Sequence, residues 1–467
     1  MRPLDGSSRR RRPGPWLLGL ALVALGGAAL VTLRVGAPPA IAISADRAGI
    51  GRETAVTVEA SEPGRGLARL QVDLVQGDRS AVLLEREHAV RPPWAFWGPR
   101  TASERANVEV GRNAVEWLAE GPAVVRVSGW PAGTWLRRPA PSVEELQLTV
   151  DLTPPLIQVL SSQHYPTQGG SEVVIYQVGE GTVRDGVEAG EWFFPGHDLP
   201  GARGGERFAL FAVPIGLTDV ATVRVVAEDG LGNAAARSFV DRLLPRSYRS
   251  DRIEVSDGFI EGVAPEIESQ TTGLEPSGSL IERFLAINGE LREANRERIL
   301  EISQRSAPEF LWDRAFLPFP NGQVMAGFGD HRTYLYGGEE VDQQDHLGID
   351  LASLQRSPVP AAAAGRVLMA EYLGIYGNVV LVDHGYGLAT LYAHLSTIDV
   401  AEGESVARGQ ALGRTGATGL AGGDHLHYGV FLNGFAVRPE EWWDSGWIRD
   451  RLARKLGDAL PFVEGGA

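Results

Sequence analysis

Asp345-His346-Leu347-Gly348-Ile349-Asp350 and, further along the chain, Asp424-His425-Leu426-His427 are the stretches on which the rest of this sequence turns. In an extended strand alternate side chains share a face, so His425 and His427 point the same way. His346 and Asp350 share a face whether their segment is extended or helical. Two imidazoles and a carboxylate are thereby able to converge. Three protein ligands with one position left open is the composition of a catalytic zinc site, whereas structural zinc sites are closed by four ligands rich in thiolate. The chain has no cysteine.

Working outward, 467 residues with 43% hydrophobic and 22% charged composition describe a globular chain of several compact units. The formal charge of -15 argues against nucleic acid as a partner, because a phosphate binder needs a basic face. Lack of cysteine rules out a disulfide framework and a lipid-modified N-terminal cysteine.

A membrane tether is nevertheless written near the start. Arg9-Arg10-Arg11-Arg12 precedes an uncharged run from Pro13 to Leu33, ended by Arg34. That is just long enough to cross a bilayer, which takes roughly 20 apolar residues. Arginines on the near side predict a single-pass inner-membrane anchor with everything after Leu33 outside the cytoplasm. A cleaved signal peptide competes, with Ala37 and Ala40 as small residues for cleavage, but Pro38 and Pro39 suit it poorly. Either way the protein is exported.

Residues 40–152 alternate apolar and polar positions in short runs such as Thr54-Ala55-Val56-Thr57-Val58 and Leu70-Gln71-Val72-Asp73-Leu74-Val75, separated by Gly and Pro. They predict an immunoglobulin-like β-sandwich, with Trp94, Phe96 and Trp97 read as core or edge cover ahead of the alternative, a ligand platform. After Thr153-Pro154-Pro155 a second sandwich is expected over 153–244, its last two strands joined by a hairpin at Glu228-Asp229-Gly230-Leu231-Gly232-Asn233. Residues 245–309 read as a linker. Its first part lacks periodicity; then Ser279 with Glu282 forms a capping box ahead of a stripe of Leu280, Phe284, Ile287 and Leu291, with a break expected at Asn288-Gly289. The linker is read as a spacer rather than a gate over the groove.

From Phe316 the pattern changes to dense glycine between short apolar strands. Gly327-Phe328-Gly329, His346-x-Gly348-x-Asp350, Pro358-Val359, Gly377-Asn378, Leu391-Tyr392-Ala393-His394-Leu395 and His425-Leu426-His427 follow one another in an order that resembles the lysostaphin-type (LytM-like) zinc metalloendopeptidases of bacterial cell walls. The resemblance covers roughly Phe316 to Pro439. It implies an antiparallel β catalytic domain at 310–440, followed by a tail at 441–467, and completes a mainly β, multidomain architecture.

Position by position, the resemblance implies one zinc ion held by His346, Asp350 and His427, with His394 and His425 as catalytic histidines that do not bind the metal. It further implies peptidoglycan as the substrate, in the bacterial envelope on the periplasmic side. No HExxH motif occurs, so no glutamate base of that kind is expected. His88, His164, His197, His331 and His384 read as structural or surface histidines. Residues from Val400 to Gly413 are expected to form paired strands in a small antiparallel sheet, as scaffold. The competing function is a scaffold whose LytM-like domain activates a separate wall hydrolase; such members have degenerate metal positions, which this sequence lacks.

Overall fold

The computed structural model describes residues 15–202, 204–274 and 277–464, so the arginine cluster Arg9–Arg12 lies outside the described residues. The protein is mainly β and divides into two compact units, Met1–Pro154 with Glu228–Asn233, and Pro155–Ala227 with Ala234–Ala467.

The first unit begins with the helix Pro15–Leu33, whose span Trp16–Leu33 has a mean hydropathy of 2.2 and is 0% buried. An apolar stretch with no protein cover is long and apolar enough to cross a membrane. Seven strands follow in two antiparallel sheets. One runs Ala40–Ala45, Thr54–Ser61, Ser103–Val110; the other runs Arg79–Glu87, Leu67–Gln76, Gly121–Pro131, Ser142–Val150. Alternation places Val56 and Val58 of the first sheet and Leu70, Val72 and Leu74 of the second in one shared core. Trp94, Phe96 and Trp97, expected as core or edge cover, are 62, 64 and 71% exposed instead. They lie on the irregular connection between Glu87 and Ser103, which no strand pairing draws inward.

The second unit opens with two four-stranded sheets, one of which orders His197–Asp198, Glu206–Ala212, Ser171–Val178 and Ile157–Val159. Then comes a strand, Ser250–Glu254, that pairs in parallel with His331–Tyr336. The helix Asp257–Gln270 follows it. Sequence patterning missed this helix because its stretch lacks clear periodicity and Gly258, Gly262 and Pro265 weaken its helix preference. Ser256 caps it by accepting from the Phe259 amide, and Ile260, Ala264 and Ile267 form its buried stripe. The capping box of Ser279 and Glu282 is present, but no break occurs at Asn288-Gly289. The chain stays helical through a π-turn, Ile287–Leu291, into Arg292–Ser303. The Asn288 amide donates to Asp342 at 2.7 Å and the Arg292 guanidinium donates to the Asn288 carbonyl at 3.0 Å, which satisfies the polar groups that the wider turn exposes.

The main sheet of this unit orders Gln323–Ala326, Ile349–Ala352, Leu426–Leu432, Leu388–Leu395, Asn378–Gly385, Gly365–Tyr372 and Ser405–Val406, with Phe435–Val437 paired beside Leu426–Leu432. Every residue of Leu388–Leu395 and Leu426–Leu432 is buried, so both faces of the sheet are covered at its centre. The strands of the stretch Val400–Gly413 pair with other segments, and they are divided between two sheets. Ser405–Val406 joins the main sheet beside Gly365–Tyr372, and Ala411–Arg414 pairs with Pro358–Pro360 and Thr397–Ile398. Trp442, 0% exposed, packs among Trp312, Phe316 and Trp447 and holds the C-terminal segment on this core.

Candidate metal centre

Three adjacent strands bring the histidines together. Asp350 stands directly opposite His427 across one antiparallel pair, and Ala393, next to His394, stands opposite His427 across the other. Directly opposed residues project to the same face. His346 enters from the turn before Ile349, held by its amide on the Asp330 carbonyl at 3.0 Å and by its own carbonyl, which accepts from Gly329 at 2.7 Å.

His346 Nε2 and His427 Nδ1 lie 3.0 and 2.8 Å from Asp350 Oδ1 and 3.1 Å from each other. One atom from each of the three falls within 4.8 Å of the others. The ring orientation at His346 is fixed from behind, because Nδ1 lies 2.8 Å from the Gly327 carbonyl oxygen. A carbonyl only accepts, so Nδ1 carries the hydrogen and Nε2 turns its lone pair inward. Two imidazole nitrogens and a carboxylate oxygen facing one point make a donor set that fits a single zinc ion.

Two further imidazoles border the cluster. His394 Nδ1 is 2.8 Å from the Thr418 carbonyl and His425 Nδ1 is 2.8 Å from the Gly423 carbonyl, which frees Nε2 of each. Their rings are 4.8 Å apart, and His425 Nε2 lies 3.6 Å from Asp350 Oδ1. His394 holds a left-handed backbone at φ 61°, a costly conformation for a residue with a Cβ. The five site residues named from the sequence are thus gathered in one place. His384 is elsewhere in the sheet, buried with Nδ1 2.8 Å from the Ala364 carbonyl and Nε2 2.8 Å from the Thr390 hydroxyl. His331 pairs with Asp345 at 2.9 Å.

Burial raises the Asp350 carboxyl, but the imidazoles of His346, His425 and His427 around it outweigh that and hold it far below the usual carboxylate range. Burial pushes His394 down to about 3, helped by charge at His425 and His427, and pushes His427 down to about 4. His425 goes the other way: burial lowers it, and the stronger pull of Asp350 raises it.

Sequence reasoning missed Arg332 and Tyr376. Arg332 donates to Asp350 Oδ2 at 2.9 Å, and the Tyr376 ring centroid lies 5.8 Å from that of His427. Tyr376 adjoins the Gly377-Asn378 pair and was open to notice; nothing in the sequence marks Arg332. A cavity of about 360 Å³ is lined by the cluster together with Phe259 and Phe284 of the linker helices.

Residues 344–439 match the model of Peptidase family M23. The DD-carboxypeptidase/endopeptidase Mpg of Neisseria meningitidis is 46% identical over 94 residues, 20% of this chain and 22% of that protein. The peptidoglycan DD-endopeptidase ShyA of Vibrio cholerae is 29% identical over 192 residues, 40% of this chain and 42% of its own. The murein hydrolase activator EnvC of Escherichia coli is 28% identical over 157 residues, 34% of this chain and 38% of its own. The chain spans less than half the length of each of these relatives.

Proposed function

Because residues 344–439 form a peptidase family M23 domain, we propose that the chain is a zinc-dependent endopeptidase that hydrolyses peptide bonds in the stems or cross-links of peptidoglycan. What supports this most is the set of ligand atoms from His346, Asp350 and His427 converging beside two imidazoles whose Nδ1 atoms are tied to carbonyls. Similarity to relatives named as DD-endopeptidases supports the substrate class.

His346 through Nε2, His427 through Nδ1 and Asp350 through Oδ1 would hold one zinc ion. When bound it supplies a Lewis acid for the scissile carbonyl and lowers the pKa of water to about 7. The neutral Nε2 of His394 orients the attacking water by accepting from it. His425, whose basicity Asp350 raises, takes up the proton at Nε2 and then donates it to the leaving amine, steadying the oxyanion on the way.

The apolar helix Pro15–Leu33 acts as an anchor in the inner membrane, and the paired sheets of residues 40–152 and 153–244 act as immunoglobulin-like spacers that hold the catalytic domain on the periplasmic side. Similarity to a murein hydrolase activator favours a second reading, a scaffold that stimulates another wall hydrolase. Purified sacculi separate the two. The wild-type chain is expected to carry zinc and release soluble fragments, and to stop when a chelator is added or His427 is changed to Ala. Fragment release unaffected by His427→Ala would overturn the peptidase reading; zinc without release, together with stimulation of a separate hydrolase, would establish the scaffold.

A further inference from the structure

Outside the helix Pro15–Leu33, the exposed aromatic residues of the first unit lie on two loops among the described residues. Trp94, Phe96 and Trp97 on one loop, and Trp135 and Leu136 on another, are between 58 and 77% exposed. Large apolar groups gathered on a surface mark a contact that the unit itself does not supply.

Both loops are bonded to the end of the apolar helix. Arg34 Nη1 donates to the carbonyls of Ala95 at 3.1 Å and Pro93 at 3.4 Å, and its guanidinium lies 4.0 Å from the Phe96 ring centroid. On the other side the Thr134 hydroxyl donates to the Thr32 carbonyl at 2.7 Å, and the Gly36 amide donates to the Ala132 carbonyl at 2.8 Å. Arg65 ties the two loops together, donating to the carbonyls of Arg91 at 2.8 Å and Gly133 at 3.0 Å and also to that of Arg34. These bonds fix the height of the aromatic side chains relative to Leu33, where the apolar helix ends.

We propose that the two loops form a foot that inserts into the headgroup region of the bilayer crossed by Trp16–Leu33, with anionic phospholipid headgroups paired to Arg137 and Arg138. The inference rests on the helix being an uncleaved span. Tryptophan and phenylalanine flanked by arginine are the side chains that the membrane interface accommodates best, since the rings take the apolar side and the charges take the headgroups. Arg137 and Arg138 are both exposed and directly follow Leu136. The foot seats the first unit against the bilayer at the end of the span.

Because the chain has no cysteine, single spin labels report the arrangement directly. Full-length Trp97→Cys, Leu136→Cys, Leu25→Cys and Asp78→Cys chains would be labelled and reconstituted into phosphatidylethanolamine and phosphatidylglycerol vesicles. Asp78 lies in the turn at the far end of Leu67–Gln76, about 30 Å from the loops at the rise of an extended strand. Labels at 97 and 136 are expected to collide with oxygen more than with a water-soluble nickel chelate, at a shallower depth than the label at 25, and the label at 78 is expected to favour the chelate. If 97 and 136 behave like 78 while 25 lies in lipid, the foot is refuted and the anchor stands. Protection of 97 and 136 from both reagents means a protein contact and also refutes the foot. If 25 faces water, or is lost from the mature chain, anchor and foot fall together.

Discussion

Arg332 Nη2 donates to Oδ2 of Asp350 across 2.9 Å, while Oδ1 of the same carboxylate faces His346 and His427. One oxygen is thereby held from outside so that the other presents itself inward. Partners of this kind orient ligands, and their loss lowers metal affinity by about 10–100-fold. Arg332→Ala is expected to weaken zinc binding by that amount in competition with a chelator, with the fold retained by circular dichroism. Unchanged affinity would show that Asp350 is positioned by its strand alone.

Gly348 makes a second demand. A Cβ there would lie 2.5 Å from His427 Cε1 and 2.8 Å from the Tyr428 carbonyl oxygen, one belonging to a buried ring and the other to backbone. Neither gives way without moving the strand that carries the ligand, and a displacement near 1 Å in a site is enough to cost about 100-fold. Gly348→Ala is therefore expected to lower both zinc occupancy, by metal analysis, and fragment release from sacculi, by 10-fold or more. Wild-type occupancy with full activity would mean that His427 has room to retreat.

These two relationships mark where the sequence becomes readable. His346 with Asp350 and His425 with His427 were legible because zinc chemistry demands particular residue types at short spacing, and local spacing survives folding; His394 and the division of roles came only from the resemblance to a known family. Arg332 was not, since its approach to Asp350 depends on the parallel pairing of Ser250–Glu254 with His331–Tyr336 and on how that ribbon meets the main sheet. Short alternating strands were visible for the same local reason. The helix Asp257–Gln270 was not, because tertiary packing of Ile260, Ala264 and Ile267 overrides the weak helix preference of its glycines and proline.

Glu441 carries a pH dependence. Burial lifts its carboxyl to about 7 against the opposing pull of Arg438 and Ser171, from an ordinary value of 4.5. Between those values the folded chain binds a proton that the unfolded chain has released, so stability falls as pH rises from about 4.5 to about 7 and levels off above it. At ~1.4 kcal/mol per pKa unit the loss is about 3 kcal/mol. Glu441→Gln keeps an oxygen for the Ser171 amide and hydroxyl, now accepted at 2.8 and 3.0 Å, but cannot ionise. Urea unfolding at pH 5 and pH 7.5 should show a steeper drop for the wild type than for the variant. Parallel slopes would mean that Glu441 ionises normally in the folded chain.

Lys455 and Glu172 meet at 2.8 Å with side chains 7 and 0% exposed, which joins the C-terminal segment to the strand Ser171–Val178. A buried pair of this kind adds little net stability over an apolar replacement, yet removing one member leaves a charge stranded and costs about 3–5 kcal/mol. Arg451, 3.8 Å from the other oxygen of Glu172, compensates in part and places the expected loss for Lys455→Met at the low end of that range. Replacing both residues, as Lys455→Met with Glu172→Gln, should recover most of the loss in denaturant unfolding. If the double variant is as unstable as the single one, attraction between the charges holds the segment in place, because relief of the stranded carboxylate would then have gained nothing.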